Sequence, residues 1–240
     1  MRINSYTPTG TLSTDIVVLS PEESHHLAKV LRVEAGQELT LFDGQGTRAE
    51  GVVDSVTKKE VTVRITTRET VPPPAVEITL IQAVCKPDRF ELILQKATEL
   101  GIRRIQPVLS THTVNRSKEP EKQLERWQTI VRNAAQQCGT AWLPEILPLQ
   151  KFNSAALKAD AVFIGSLHPN AKPFREAFRS LDKSKIKAAV LLIGPEGDFT
   201  EEEVTAAVAA GAIPVTFGNR ILRTETAAIF GLSVLAYELL

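Results

Sequence analysis

The chain has 240 residues, of which 43% are hydrophobic, and its 28 basic and 28 acidic side chains cancel to a formal net charge of zero. A zero balance provides no general electrostatic footprint for nucleic acid, and this length can form one large domain or two modest ones. No apolar run approaches the roughly 20 residues of a membrane span, and no signal-like apolar segment follows the first residues. We therefore expect a protein with no membrane partner.

The two cysteines, Cys85 and Cys138, lack the spacing of a metal site or of a disulfide framework. They favour a reducing compartment. The sequence therefore predicts a cytoplasmic protein without a metal site.

Residues 1–71 have the pattern of a small strand-rich domain. Apolar or alternating runs predict strands, separated by turn residues, at Asp15–Leu19, Gln37–Phe42, Gly51–Val56 and Glu60–Thr66. A helical stretch between the first two strands places Leu27, Val30 and Leu31 on one face. Short strands at close spacing are typical of a small barrel.

Pro72, Pro73 and Pro74 form the clearest boundary in the chain. Consecutive prolines favour an extended, stiff spacer over a strand or a helix. We therefore expect one domain at residues 1–71 and a second at residues 75–240.

Beyond the prolines, predicted strands and helices alternate. Buried strands are predicted at Val76–Ala83, Arg104–Val108, Ala161–Gly165, Val190–Ile193 and Val215–Phe217, and helices at Asp88–Leu100, Glu119–Gln137 and Ala227–Leu240. Thr200 and Glu203 have the spacing of a capping box for a further helix, which ends at Gly211. The alternation favours a parallel sheet with helices on both faces.

Two glycine-containing loops at strand ends form the candidate site. Residues 194–198 (GPEGD) follow one buried strand, and residues 218–228 (GNRILRTETAA) follow the next. In an α/β fold such loops form a crevice at the carboxyl ends of the strands. Neither loop contains a Gly-x-Gly-x-x-Gly or Gly-Lys-Ser/Thr phosphate cradle, which disfavours a nucleotide-cofactor enzyme acting on small molecules. Each loop alone is also compatible with a surface turn or a capped helix start, whereas the pair indicates a ligand site.

The segments LLIGPEGDFT and FGNRILRTETAA together resemble the RsmE family, SPOUT-class methyltransferases that modify N3 of a uridine in small-subunit (16S) ribosomal RNA. HHLAKVLRVEAGQ, LFDG and KPDRFELILQKATELGI extend the resemblance over nearly the whole chain. It implies an α/β SPOUT domain with a deep trefoil knot, preceded by a PUA-like RNA-binding β-barrel. It also implies S-adenosylmethionine as the cofactor and a homodimer with the active site at its interface.

The resemblance further implies a role for individual residues. The cofactor would be held mainly by main-chain groups of the two loops, with a third loop closing one side: Ser166, Leu167, Ile193, Gly194, Pro195, Glu196, Gly197, Phe217, Gly218, Ile221, Leu222, Thr224, Thr226 and Ala227. Arg223 is the expected catalytic cation, because uracil N3 must lose a proton and a nearby cation favours the anion. Glu225 would orient Arg223 or the RNA. A salt bridge within the helix or at an interface is the alternative for this pair.

Basic residues in both domains are candidates for contacts with RNA phosphates. They are His25, Lys29, Arg32, Lys86, Arg89, Lys96 and Arg116. The alternatives are solvated helix faces and, for His25, a capping or packing role. Ser5, His112 and Thr140 stand where family members commonly carry arginine. These departures leave open a second function, that of a non-catalytic RNA-binding or ribosome-assembly factor that retained the fold.

Overall fold

The computed structural model describes residues 3–57, 59–114, 119–154 and 157–240. The chain divides into two compact units, residues 1–73 with 132–143 and residues 74–131 with 144–240. None of the helices in the described ranges is long and apolar enough to cross a membrane.

The first unit contains a five-stranded sheet with the order β1-β3-β4-β5-β2, in which β1 and β3 are parallel and the other pairs antiparallel. Its elements are β1 (Asn4–Tyr6), a 3-10 turn (Thr11–Ser13), β2 (Ile16–Val18), α1 (Pro21–His25), β3 (Glu38–Phe42), β4 (Thr47–Val56) and β5 (Val61–Thr70). The turn between β3 and β4 is held by Asp43, whose carboxylate accepts hydrogen bonds from the N–H groups of Gln45 and Thr47. The strand-rich character predicted for this region is confirmed.

The helical segment after β2 departs from the prediction. It begins as α1, whose first turn is capped by the side chain of Ser20, and continues as a π-helix over His26–Leu31. Leu27 is fully buried, whereas Val30 and Leu31 are 62% and 43% exposed. The prediction that these three side chains share one apolar face is wrong. A π-helix has more than 3.6 residues per turn, so the three-residue spacing from Leu27 to Val30 no longer places both side chains on one face.

The second unit contains a sheet whose recorded pairs are all parallel, with the order β11-β13-β10-β12-β6-β7-β8 and with β9 also paired to β7. Its strands are β6 (Glu77–Ala83), β7 (Arg104–Leu109), β8 (Glu145–Ile146), β9 (Gln150–Lys151), β10 (Ala161–Gly165), β11 (Lys172–Pro173), β12 (Ala188–Ile193) and β13 (Ile213–Thr216). Its helical elements are α2 (Pro87–Glu99), α3 (Pro120–Cys138, of which residues from 132 belong to the first unit), α4 (Phe174–Arg179), a 3-10 turn (Lys183–Lys185), α5 (Glu201–Ala209) and α6 (Thr224–Leu239).

Helices cover both faces of this sheet, as the alternating side chains of β12 demonstrate. Val190 and Leu192 belong to a core cluster that includes Ala207 of α5. Leu191 points to the opposite face and packs against Gly231 of α6, where an added Cβ would lie 2.7 Å from its Cδ2. The predicted parallel sheet with helices on both faces is confirmed.

Candidate cofactor site

The candidate site lies where three neighbouring parallel strands end. β13, β10 and β12 are adjacent in the sheet, so the loops that follow them meet at one edge. A cavity of about 280 Å³ opens there. It is lined by Arg89, Gly165, Ser166, Leu167, Ile193, Gly194, Pro195, Glu196, Asp198, Val215, Thr216, Phe217, Arg220, Ile221, Leu222, Arg223, Thr224 and Ala227.

Most residues predicted to hold a cofactor line this cavity. The exceptions are Gly197, Gly218 and Thr226, which are absent from the lining. Gly218 has a φ of +118°, which favours glycine, so this residue is required by the turn after β13. The sequence assigned Arg89 to RNA and singled out neither Asp198 nor Arg220, although all three side chains belong to the cavity wall.

The loop after β12 is held by contacts within itself. An added Cβ at Gly194 would lie 2.9 Å from Oδ1 of Asp198 and 3.0 Å from the amide nitrogen of Phe199, so only glycine fits without movement. Asp198 adopts a left-handed conformation with φ +58°, and its carboxylate accepts the N–H of Phe199 over 2.8 Å. The capping box predicted at the start of α5 is confirmed, with Thr200 and Glu203 bonded reciprocally.

Residues that follow β7 brace the same loop. Nδ1 of His112 lies 2.9 Å and 3.1 Å from the carbonyl oxygens of Gly197 and Asp198, so it must carry the hydrogen that is donated to them. The N–H and the hydroxyl of Thr111 both donate to Glu203. His112, one of the three departures from the family pattern, therefore supports the loop here.

The environment of Asp198 opposes its ionisation. Burial raises the pKa of this carboxyl above its ordinary value, while hydrogen bonds from the N–H groups of Phe199 and Leu167 and the nearby His112 act in the opposite direction. Leu167 follows β10, so the carboxylate also connects two of the loops that line the cavity.

A group of charged residues forms one wall of the cavity. Oε1 of Glu196 accepts from Nη1 of Arg89 over 3.3 Å and from the N–H of Lys86, at the start of α2, over 3.2 Å. Glu225 lies 3.9 Å from Nε of Arg89, and no ion pair joins it to Arg223 among the described residues. Burial, together with the nearby carboxylates of Glu196 and Glu225 and against the opposing charge of Arg89, raises the pKa of the adjacent Cys85 thiol to about 12. This thiol stays protonated at neutral pH and is unsuited to act as a nucleophile.

Arg223 occupies a different environment from Arg89. Its side chain is exposed at the end of the loop after β13, and it lines the cavity directly before α6. It makes no hydrogen bond or ion pair with the described residues, whereas Arg89 is held by two carboxylates. The free guanidinium is available to a ligand or to RNA.

Sequence reasoning missed the buried contacts between the two loops. Oγ1 of Thr224 donates to the carbonyl oxygen of Gly194 over 2.7 Å and accepts from Nε2 of Gln82 over 3.1 Å. The signal in the sequence was a single amide in the otherwise apolar end of β6, and it did not identify a partner 142 residues away.

Some of the candidate RNA-binding residues are exposed, and others are engaged in ion pairs. In the first unit His25, Lys29 and Arg32 are exposed near or within the π-helix. In the second unit Lys86 is exposed, Arg89 is paired as described, and Lys96 is paired with Glu99. Arg116 lies outside the described residues.

Two family models match the chain. Residues 72–236 match an RNA methyltransferase domain, and residues 19–66 match an RNA methyltransferase PUA domain. The chain belongs to the RNA methyltransferase family. Ribosomal RNA small subunit methyltransferase E of Mycobacterium tuberculosis is 30% identical over 226 residues, which are 90% of this chain and 84% of that protein. The enzyme of the same name from Bacillus subtilis is 29% identical over 229 residues, covering 92% and 89%.

Solved structures resemble the whole chain as well. A putative methyltransferase from Legionella pneumophila with bound S-adenosylmethionine has a TM-score of 0.87 at 33% identity and covers 99% of this chain and 98% of its own. Ribosomal RNA small subunit methyltransferase E from Neisseria gonorrhoeae, also bound to S-adenosylmethionine, has a TM-score of 0.87 at 31% identity with the same coverage. The resemblance to the RsmE family is confirmed, and both structures hold the cofactor that the sequence predicts.

Proposed function

We propose that this protein transfers a methyl group from S-adenosylmethionine to N3 of a uridine in 16S ribosomal RNA. The observation that carries the proposal is the cavity built by the loops after β10, β12 and β13 in a chain of the RNA methyltransferase family. Relatives at about 30% identity bear the name of the small-subunit enzyme, which supports this substrate.

The cavity fits the cofactor in size and chemistry. Its volume is near the roughly 300 Å³ at which small-molecule pockets begin. The apolar side chains of Ile193, Phe217 and Leu222 suit a purine ring, and the Glu196 carboxylate and exposed main-chain groups suit the polar parts of the molecule. We assign cofactor binding to the residues predicted from the sequence that line the cavity, together with Asp198.

The protein must favour the deprotonated base and align it. S-adenosylmethionine, when bound, supplies an electrophilic methyl group. N3 of uracil becomes a nucleophile only when its proton leaves, and a cation beside the base stabilises the anion. Arg223 has the exposed, permanently charged group for this role. Glu225 contributes indirectly, because its carboxylate holds Arg89 against the cavity wall.

We further propose that the second unit contains the deep trefoil knot of the SPOUT class. The chain path supports it. β13 lies beside β10 on the side away from β12, yet the next element, α6, packs against β12 and β6. Residues 217–223 must therefore return past the segment that follows β10, as a knotted path requires.

The proposed active form is a homodimer. α6 buries Leu232 and Leu235 within the protomer but leaves Phe230 45% and Tyr237 89% exposed. Ile221, in the cavity wall, is 79% exposed. Exposed aromatic and aliphatic side chains along α6 and in the cavity wall are typical of a surface that a second copy covers.

The N-terminal unit is proposed as the part that grips RNA. His25, Lys29 and Arg32 are exposed close together in the sequence, and phosphate contacts of this kind position a substrate without reading its sequence. Lys86 is the candidate in the second unit. We place the reaction in the cytoplasm, where thiols such as those of Cys85 and Cys138 stay reduced.

Mass spectrometry of 16S ribosomal RNA from a strain that lacks the gene tests the function. We expect the loss of one N3-methyluridine and its return when the wild-type gene is restored. Restoration with the Arg223→Ala gene provides the control. We expect it not to restore the methylation, whereas a non-catalytic assembly factor would work equally well without this guanidinium. An unchanged RNA in the deletion strain would contradict the proposed substrate.

A further inference from the structure

A buried hydrogen-bond relay connects β6 to both loops of the candidate site. Gln82, near the end of β6, is fully buried, and its Nε2 donates to Oγ1 of Thr224 over 3.1 Å. Oγ1 of Thr224 donates in turn to the carbonyl oxygen of Gly194 over 2.7 Å. Because a threonine hydroxyl has one hydrogen, donation to Gly194 leaves it only an acceptor toward Gln82. The direction of the relay is therefore fixed.

Gln82 reaches the site without lining the cavity. Gly194 and Thr224 belong to the cavity wall, whereas Gln82 lies behind them. Its Nε2 also faces the carbonyl oxygens of Ala83 at 3.0 Å and Ile193 at 3.4 Å. Its Oε1 has no hydrogen-bond partner among the described residues. The side chain thus acts as a donor, directed at the end of β12 and the start of α6.

We propose that Gln82 is a positioning residue for S-adenosylmethionine binding, which acts through Thr224 to hold the Gly194 carbonyl and the spacing of the two loops. The inference rests on the proposed function, since it takes the cavity as the site of that cofactor. Main-chain groups that meet a ligand must be held within a fraction of an ångström. A buried relay of two hydrogen bonds provides that constraint where neither loop has regular structure.

The neighbouring strand offers a matched control. Gln106 of β7 is also buried, and its Nε2 donates to the carbonyl oxygens of Pro107 and Pro148 over 2.9 and 2.8 Å. None of these three residues lines the cavity. Replacing Gln106 therefore removes comparable buried hydrogen bonds from the same sheet and leaves the relay intact.

Calorimetric titration with S-adenosylmethionine, with thermal unfolding of each protein, tests the relay. Gln82→Met removes both polar groups at nearly the same side-chain length, and Gln82→Leu removes them with a shorter side chain. We expect each to raise Kd about tenfold, as for the loss of one buried hydrogen bond. Gln106→Met should lower Tm by about as much as the Gln82 variants do, and it should leave Kd unchanged.

A double-mutant cycle with Thr224 distinguishes the relay from a general loss of packing. Thr224→Val removes the hydroxyl and should raise Kd, whereas Thr224→Ser keeps the hydroxyl of the relay and loses only a methyl group from the cavity wall, so it should raise Kd less. In the Thr224→Val background, Gln82→Met should add less than about a twofold change, because the relay is already broken. Independent, additive effects contradict the relay.

Failure of the relay and failure of the proposed function give different results. Wild-type affinity in both Gln82 variants contradicts the relay alone. A wild-type chain that binds no S-adenosylmethionine contradicts the proposed function, and the relay with it. If neither Gln82 variant folds, equal affinities of Thr224→Val and Thr224→Ser overturn the inference.

Discussion

The two main loops of the candidate site are held in different ways. Residues 194–200 are fixed by the close approach of Gly194 to Asp198, by the imidazole of His112 and by the capping box of α5. In residues 218–223 the side chains of Arg220, Ile221 and Arg223 are exposed, and neither arginine has an ion pair with a described residue. The first loop is braced through its main chain, and the second presents free side chains.

This difference indicates a division of labour within one site. A braced main chain provides preorganised donors and acceptors, which favours a cofactor that binds in the same way at every turnover. Free cationic side chains adapt to a larger partner and gain their contacts when it arrives. We therefore expect changes in the first loop to affect cofactor affinity and changes in the second to affect methyl transfer.

The largest effect is expected for Arg223→Ala in the second loop. Loss of one electrostatic contact to a developing anion lowers a rate about 100-fold, so kcat should fall by that order while Kd for S-adenosylmethionine changes less than threefold. Single-turnover methylation of 16S ribosomal RNA, together with cofactor titration, provides both values.

Arg220→Ala is the comparison, because it removes an equal charge from the same loop. A similar loss of rate in both variants would show that the rate depends on the net charge of the loop and not on Arg223 itself. A normal single-turnover rate in Arg223→Ala would remove the catalytic role.

A smaller effect, on affinity, is expected for Gly194→Ala in the first loop. The added Cβ would lie 2.9 Å from Oδ1 of Asp198, so the loop must shift by tenths of an ångström. A displacement of this kind should raise Kd for S-adenosylmethionine roughly tenfold. Calorimetric titration measures it.

Gly211→Ala is the control for a general loss of stability. This glycine has a φ of +99°, an added Cβ would meet nothing within 4 Å, and it lies outside the cavity lining. It should lower Tm with unchanged affinity. Equal affinities in the two variants would show that the first loop is not the cofactor loop.

Local patterns were sufficient to predict the framework of the second unit. Apolar runs such as Val190–Ile193, ended by glycine, predict buried strands because the sheet buries both of their faces. Strands of two residues, such as β8 and β9, carry no period and were missed. The π-helix at His26–Leu31 was missed for the related reason that a period of 3.6 was assumed.

The site residues that could be predicted are those that follow one another in a loop at the end of a strand. Ile193, Gly194 and Glu196 line the cavity as expected, because the chain delivers them together. The pairing of Glu225 with Arg89 and the relay from Gln82 join segments more than 100 residues apart. Such contacts depend on the strand order, which periodicity does not specify.

The smallest effect concerns the stability of the first loop and its dependence on pH. Burial raises the pKa of Asp198 above its ordinary 3.8, so the folded chain keeps this proton to a higher pH than the unfolded chain does. As the pH rises from about 3.8 through the folded pKa, the unfolded chain loses its proton first, and the stability that the group contributes declines. Asp198→Asn removes this titration. It also keeps an oxygen acceptor for the N–H of Phe199 and a residue type that tolerates a φ of +58°.

We therefore expect Asp198→Asn to equal or slightly exceed the wild-type Tm at pH 7 and to lose less stability than the wild type as the pH rises above about 4. Asp198→Ala lacks the acceptor and carries the left-handed strain of about 1–2 kcal/mol, so it should be less stable at every pH. Thermal unfolding at several pH values compares the three proteins. A steeper decline with rising pH in Asp198→Asn than in the wild type would contradict the raised pKa, because the direction of the linkage would then be reversed.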